Sequence, residues 1–439
     1  MTRDLRRRAL ESHKTVSKKA ALRVGTSAVN SRTQSRNASR HASDEEDGNL
    51  TDDDSTTWSV NSIDDMLDAQ EPHEVSDTWA QELYNRIEEI IDRKRSSAEG
   101  REHTLIAYNH YLMARYCYDQ IEGKISEIYP ALCKSIRPGT GEREACLALR
   151  AIGLTIITCP SDDVFEDIFR SLKKSYQRSE HVTVKAAAIR AIAASAVYGG
   201  ASDSEVSHIM NEFIEIVESD GNTVDAPDSI EVVTAACEEW GNLATLVDNL
   251  ENESIAAMDA FVEQLDSSST LVRIAAGENI ALIYEKSYSQ RDLNDPEPTE
   301  SEKVDEYGFP LDVSQAKRYD PFPQKSQLEH TLSELSKASS KSISKKDRKT
   351  LHATFGDVLA TVKYPVRGPK YSTAIDENGR LFGSRMFVRI HKNGVMKIDK
   401  WWKLHRLQAL RRVLGGGFMT HYQRNEVVLQ SLPTLVTRI

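Results

Sequence analysis

One short pattern returns along this chain at a fixed distance. Ala148-Leu149-Arg150-Ala151-Ile152 is matched 40 residues later by Ala188-Ile189-Arg190-Ala191-Ile192. Ala235-Ala236-Cys237-Glu238 is matched, again after 40 residues, by Ala275-Ala276-Gly277-Glu278. Between the members of each pair lies a second apolar stripe at helical spacing. One is Val164–Tyr176, with Phe165, Ile168, Phe169 and Leu172. The other is Ile255–Leu265, with Ala257, Met258, Phe261 and Val262. Small residues let neighbouring helices approach closely, and stacked helix pairs bury a core that no single pair can bury.

This period predicts a mainly α fold of the HEAT/armadillo kind over residues 78–290; a non-repetitive helical bundle is the alternative. The stretch opens with Leu83, Ile87, Ile90 and Ile91 on one helical face of Trp79–Arg95. Residues 291–349 are expected to be a linker with one helix over Ser326–Lys337, since Asp292–Pro298 and Tyr307–Pro310 are polar and turn-forming. Residues 350–439 are expected to form a small α+β domain. A helix carries Phe355, Val358, Leu359 and Val362 and ends at Pro365. Next comes a hairpin, with Met386–His391 and Met396–Ile398 joined across Asn393-Gly394, where positive φ is required. A helix from Lys400 to Leu414 stops at Gly415-Gly416-Gly417, and a last helix spans Phe418–Leu432 before Pro433.

Charge is sorted along the chain. The whole carries −11, yet residues 316–439 hold 24 Lys+Arg against 9 Asp+Glu, and residues 1–43 hold 11 against 2. Residues 44–77 hold 13 acidic and no basic side chains. Residues 1–43 therefore read as a basic arm, with Arg6, Arg7, Arg8, Lys18 and Lys19, and 44–77 as an acidic tract too charged to fold alone. The arm is Arg- and Ser-rich, as transit peptides are, but Asp4 and Glu11 interrupt its first turns. A nucleic-acid or import-receptor ligand is the favoured reading. Sorting of this kind points to a polyanionic partner.

Five cysteines, none in a CxxC pair, indicate reduced thiols in a cytosolic or nuclear setting and no zinc site. No apolar run approaches the length of a membrane span. There is no GxxxxGK[ST], HExxH or GxSxG. Gly415–Gly417 lacks a P-loop lysine and reads as a helix stop, and Asp376-Glu377-Asn378-Gly379 lacks the later ligands of a calcium loop. No enzyme activity, metal or cofactor is expected.

The informative chemistry is basic. Arg389, Lys392, Lys397, Lys400, Lys403, Arg406, Arg411 and Arg412 alternate with apolar residues and with Trp401 and Trp402. Lys400, Lys403 and Arg406 fall on one helical line, a ridge suited to phosphates in an RNA groove. A tryptophan stacks on an unpaired base, or else packs in the core; one of this pair is expected to do each.

The C-terminal block resembles the interferon-related developmental regulator (IFRD) family. The resemblance rests on Phe355-Gly356-Asp357-Val358-Leu359, Ile398-Asp399-Lys400-Trp401, Val413-Leu414-Gly415-Gly416-Gly417, His421 and Asn425-Glu426. The tract Ser43-Asp44-Glu45-Glu46 before a helical-repeat domain fits the family's layout. The chain departs from it in its basic first 40 residues and in Gly368–Gly383, and has Gly356 where the family tends to a basic residue. The resemblance implies that 350–439 is an IFRD-type C-terminal domain. It also implies a ribosome-binding factor that occupies the P and E tRNA region and the mRNA channel of idle 80S ribosomes, touching rRNA and ribosomal proteins in the cytoplasm. The alternative it implies is a nuclear transcriptional co-regulator, with a repeat groove that recruits histone deacetylase co-repressor proteins. No membrane and no small-molecule substrate is expected.

Overall fold

The computed structural model describes residues 78–93, 96–292, 295–299, 303–304, 313–337, 345–369, 386–391, 394–432 and 436–438. The basic arm and the acidic tract lie outside these residues. The described part belongs to one compact unit.

The repeat forms helices α1 (Trp79–Ile91), α2 (Ala98–Ala114), α3 (Tyr118–Ile121), α4 (Ile125–Ser135), α5 (Glu142–Thr158) and α6 (Val164–Arg178). It continues with α7 (Val182–Tyr198), α8 (Asp203–Glu218), α9 (Ile230–Ala244), α10 (Glu251–Gln264) and α11 (Thr270–Lys286). Several starts are set by serine. Ser97, Ser202, Ser229 and Ser269 each accept a backbone N–H of the first turn, and Ser202 and Glu205 form a reciprocal capping box.

Helices α2, α5, α7, α9 and α11 pack side by side in one layer, and α1, α4, α6, α8 and α10 back them in a second. The two layers have different sequences for a physical reason. Helix α6 needs only one apolar stripe, and buries Val164, Phe165, Ile168, Leu172 and Tyr176. Helices α5, α7, α9 and α11 are enclosed on most sides and are apolar nearly all round. The repeated alanines, Ala148, Ala188, Ala235 and Ala276 among them, are fully buried in the first layer.

Beyond α11 the strands β1 (Tyr288–Gln290) and β2 (Gln315–Lys317) pair antiparallel. Arg318 clasps this ribbon by donating to Asp295 at 2.9 and 3.0 Å. Then α12 (Lys325–Leu335) and α13 (Lys345–Lys363) add a sixth helix pair to the stack, with α13 lying against α11. The expected domain edge at 350 thus falls inside a helix that continues the first layer. Its stripe Leu351, Phe355, Val358 and Val362 is buried, and Gly277 of α11 leaves the space that Phe355 fills, since a Cβ there would sit 2.9 Å from the ring.

The tail begins with the predicted hairpin, β3 (Met386–His391) against β4 (Gly394–Ile398), to which β5 (Val436–Arg438) adds on the far side of β4. It continues as α14 (Trp401–Leu414), a 3-10 turn at Gly415–Gly417, α15 (Phe418–Arg424) and α16 (Glu426–Ser431). The expected single last helix is broken at Asn425, which caps α16 through Val427 N–H and donates to Ile157 O of α5 at 2.9 Å. Among the described residues no helix is long and apolar enough to cross a membrane. All five cysteines are free thiols, four of them buried.

Candidate nucleic-acid interface

The hairpin and α14 were expected to present a basic ridge. Helix α14 instead lies across the first layer, and its position is set by groups far upstream. Its N-terminus has no side-chain cap of its own. Buried Glu285 of α11 supplies one, accepting Trp401 N–H at 2.9 Å and Trp402 N–H at 3.1 Å. Burial pushes the Glu285 carboxyl up, against Lys400 and these two amides.

Further along, His405 fits against Gly241 of α9, where a Cβ would collide with its ring and with Asn279. Burial pulls the His405 imidazole down to about 4. Arg412 donates from Nε to Glu239 Oε1 at 3.0 Å and lies 3.6 Å from Glu238, which also meets Arg190 of α7. Arg406 donates to Thr245 Oγ1 at 2.9 Å, Thr245 O at 3.2 Å and Ser431 O at 2.8 Å, tying the end of α9 to the end of α16. Lys286 donates to the carbonyls of Thr245 and Val247 at that helix end, and burial pulls it down to about 8.

Past α14, Gly415 takes φ 51°, in the left-handed region, and Gly417 passes so close to Met113 O of α2 that no side chain fits. His421 then meets Leu112 O at 2.6 Å. The tail therefore runs as a strap from α11 over α9 and α5 to α2.

This sorts the expected contact residues. Trp401 is the core tryptophan, 1% exposed, with Nε1 donating to Thr361 Oγ1 at 2.8 Å. Arg406 and Arg412 face the repeats, committed to the partners above. Lys397 stands exposed between the buried Met396 and Ile398, as strand alternation requires. Lys403 pairs with Asp399 at 2.6 Å, and Lys397 lies 3.8 Å from the same carboxylate. Lys400 reaches Val366 O at 3.3 Å and is partly exposed. Trp402 is half-buried, with Lys403 Nζ and the Arg406 guanidinium 5.6 and 5.2 Å from its ring centre. Arg411 lies over Phe418 at 5.6 Å. Arg389 pairs with Val395 in the hairpin; its side chain, Lys392 and the five arm residues lie outside what is described.

The fold thus brings together Lys397, Lys400, Trp402 and Lys403 at one end of the strap. Reasoning from the sequence missed Glu238, Glu239, Glu285, His405 and Asn425. A signal for one of them, Glu238, was present. Arg150, Arg190, Glu238 and Glu278 hold the same position in α5, α7, α9 and α11, so the charge facing the strap changes sign along the stack.

The family model for interferon-related developmental regulators matches residues 48–363. Its last matched residue is also the last residue of α13. Of the motifs quoted above, Phe355–Leu359 falls inside the match and those of the strap lie beyond it. The chain is 30% identical to an uncharacterized protein of Schizosaccharomyces pombe over 359 residues, 80% of this chain and 74% of that protein. With the helical stack and the family match ending together, the chain belongs to the interferon-related developmental regulator family.

Proposed function

We propose that this protein is a non-enzymatic, cytoplasmic ribosome-binding factor that occupies tRNA and mRNA sites of translationally inactive 80S ribosomes. Membership of the family supports the reading, and one observation carries it. Lys403 and the Arg406 guanidinium lie 5.6 and 5.2 Å from the ring centre of the half-buried Trp402, and Lys397 and Lys400, close by in the chain, are exposed and partly exposed. Such a group neutralises phosphates and releases counterions, and the indole edge offers a platform for an unpaired base. The inhibition is steric: the protein and mRNA or tRNA exclude each other.

The co-regulator reading calls on a peptide groove in the repeats. The strap covers the first layer over α2, α5, α9 and α11, where such a groove would lie. The test is sedimentation of a cell lysate on sucrose gradients at low and high salt. Co-migration with 80S particles, lost as salt rises, is the expected result. Absence from every ribosomal fraction of growing and starved cells overturns the proposal.

A further inference from the structure

Between Arg190 and Arg273 lie 82 residues without a lysine or arginine, and they hold 17 Asp and Glu. This span builds α8, α9 and α10. Some of its acids are balanced from outside: Glu212 by Lys173 of α6, and Glu238 and Glu239 by Arg190 and Arg412. The outward faces of α8 and α10 are not. Helix α8 exposes Ser204, His208, Asn211, Glu215 and Glu218 at heptad spacing, and α10 exposes Asn252, Ile255, Asp259 and Glu263. The two helices pack against each other, so the stripes are neighbours. Among the described residues no cation pairs with Glu215, Glu218, Asp259 or Glu263. The neighbouring second-layer helix α6 carries Arg170, Lys173, Lys174 and Arg178, so the lack of cations is confined to this part of the stack.

An independent feature lies on the same face. Ile255 is 70% exposed, more than any other large apolar side chain among the described residues, with Ala256 exposed beside it. A solvated acidic face has no use for an isoleucine at its centre. The aliphatic stems of lysine and arginine cover such a residue while their heads reach carboxylates.

From these stripes we infer that the α8–α10 face docks an extended, Lys/Arg-rich polypeptide segment of a partner protein. The α8 stripe is about 21 Å long, at about 1.5 Å per helical residue. That length spans about six residues of extended chain, so this is a site for a peptide segment and not for a single cation. The inference stands apart from the rRNA reading: it concerns the opposite sign of charge and a different layer of the stack.

The test uses the full chain and a fluorescein-labelled 20-residue Lys/Arg/Ser peptide, titrated by anisotropy at low salt. The variant Glu215→Gln, Glu218→Gln, Asp259→Asn, Glu263→Gln changes exposed groups only, and its circular-dichroism melt is expected to match that of the unaltered chain. Binding is expected to weaken by about tenfold, the scale of several exposed ion pairs removed together, and the difference to shrink as salt rises. A control variant, Asp162→Asn, Asp163→Asn, Glu166→Gln, Asp167→Asn, removes the same charge at the start of α6 and is expected to bind almost as the unaltered chain does. Unchanged affinity in the first variant, as when the acidic tract 44–77 alone holds the peptide, overturns the inference. So does an equal loss in both variants.

Discussion

Arg412 is the residue at which a surface reading and a folded reading part. Its side chain is 12% exposed and its partner Glu239 is 4% exposed. Removing one partner of such a pair leaves the other charge buried, at a cost of about 3–5 kcal/mol. His405, nearly two helical turns earlier, is buried and held neutral. Its pKa is about 4 in the folded chain against 6.5 for the free side chain, so below pH 6.5 the unfolded state takes up a proton that the folded state refuses. Stability is then lost as pH falls from about 6.5 towards 4, by up to roughly 3 kcal/mol from this group. Burial lowers His421 too, adding loss of the same sign. Urea melts at pH 7.5, 5.5 and 4.5 check this. The His405→Asn variant is expected to lose less stability on acidification than the unaltered chain; parallel losses would show that His405 is not the responsible group.

At the scale of elements, the strap is seated by glycines. Gly153, Gly241 and Gly417 are places where a Cβ would press on Val413, His405 and Met113 respectively. Gly241→Ala is expected to destabilise the chain by about 1–3 kcal/mol through overpacking. Gly123→Ala, where a Cβ meets nothing within 4 Å, serves as the control. Equal melting temperatures for the two variants would mean that the strap is not pressed on α9. The parts legible in the sequence were those set by local chemistry. The 40-residue period, the pairing of Met386–His391 with the run that ends at Ile398, and the stop at Gly415 all act within a few residues or within one repeat; the expected turn residue Gly394 is instead the first residue of β4, opposite His391. The strap's seat was not legible, because its partners lie more than a hundred residues upstream. Lys400–Arg412 shows hardly an acid among its own neighbours, so its cations read as solvated. Glu285, Glu239 and Glu238 supply the missing charge from other helices. Asn425 likewise reads as mid-helix until Ile157 O is placed beside it.

For the whole molecule, the fold divides each sign of charge among the described residues into two sets. Positive charge in the tail divides into an inward set, Arg406 and Arg412, that fastens the strap, and an outward set around Trp402. Negative charge in the stack divides in the same way, into acids that receive the strap and those on the α8–α10 face. Among the described residues, the outward sets are the ones available to partners. For a chain of net −11, binding to rRNA would fall on its cationic areas, of which the outward set around Trp402 is the described one, and salt dependence reports on that set. The most direct measurement is pelleting of the purified full chain with purified 80S ribosomes over a range of salt, comparing the unaltered protein with Lys397→Glu, Lys403→Glu. Both residues lie outside the core, so the helical circular-dichroism signal should be retained. Loss of about two phosphate contacts is expected to weaken binding at low salt by at least tenfold. It should also flatten the slope of log affinity against log salt by about 1.4 to 1.8. Equal affinity and equal slope for the two proteins would contradict the account.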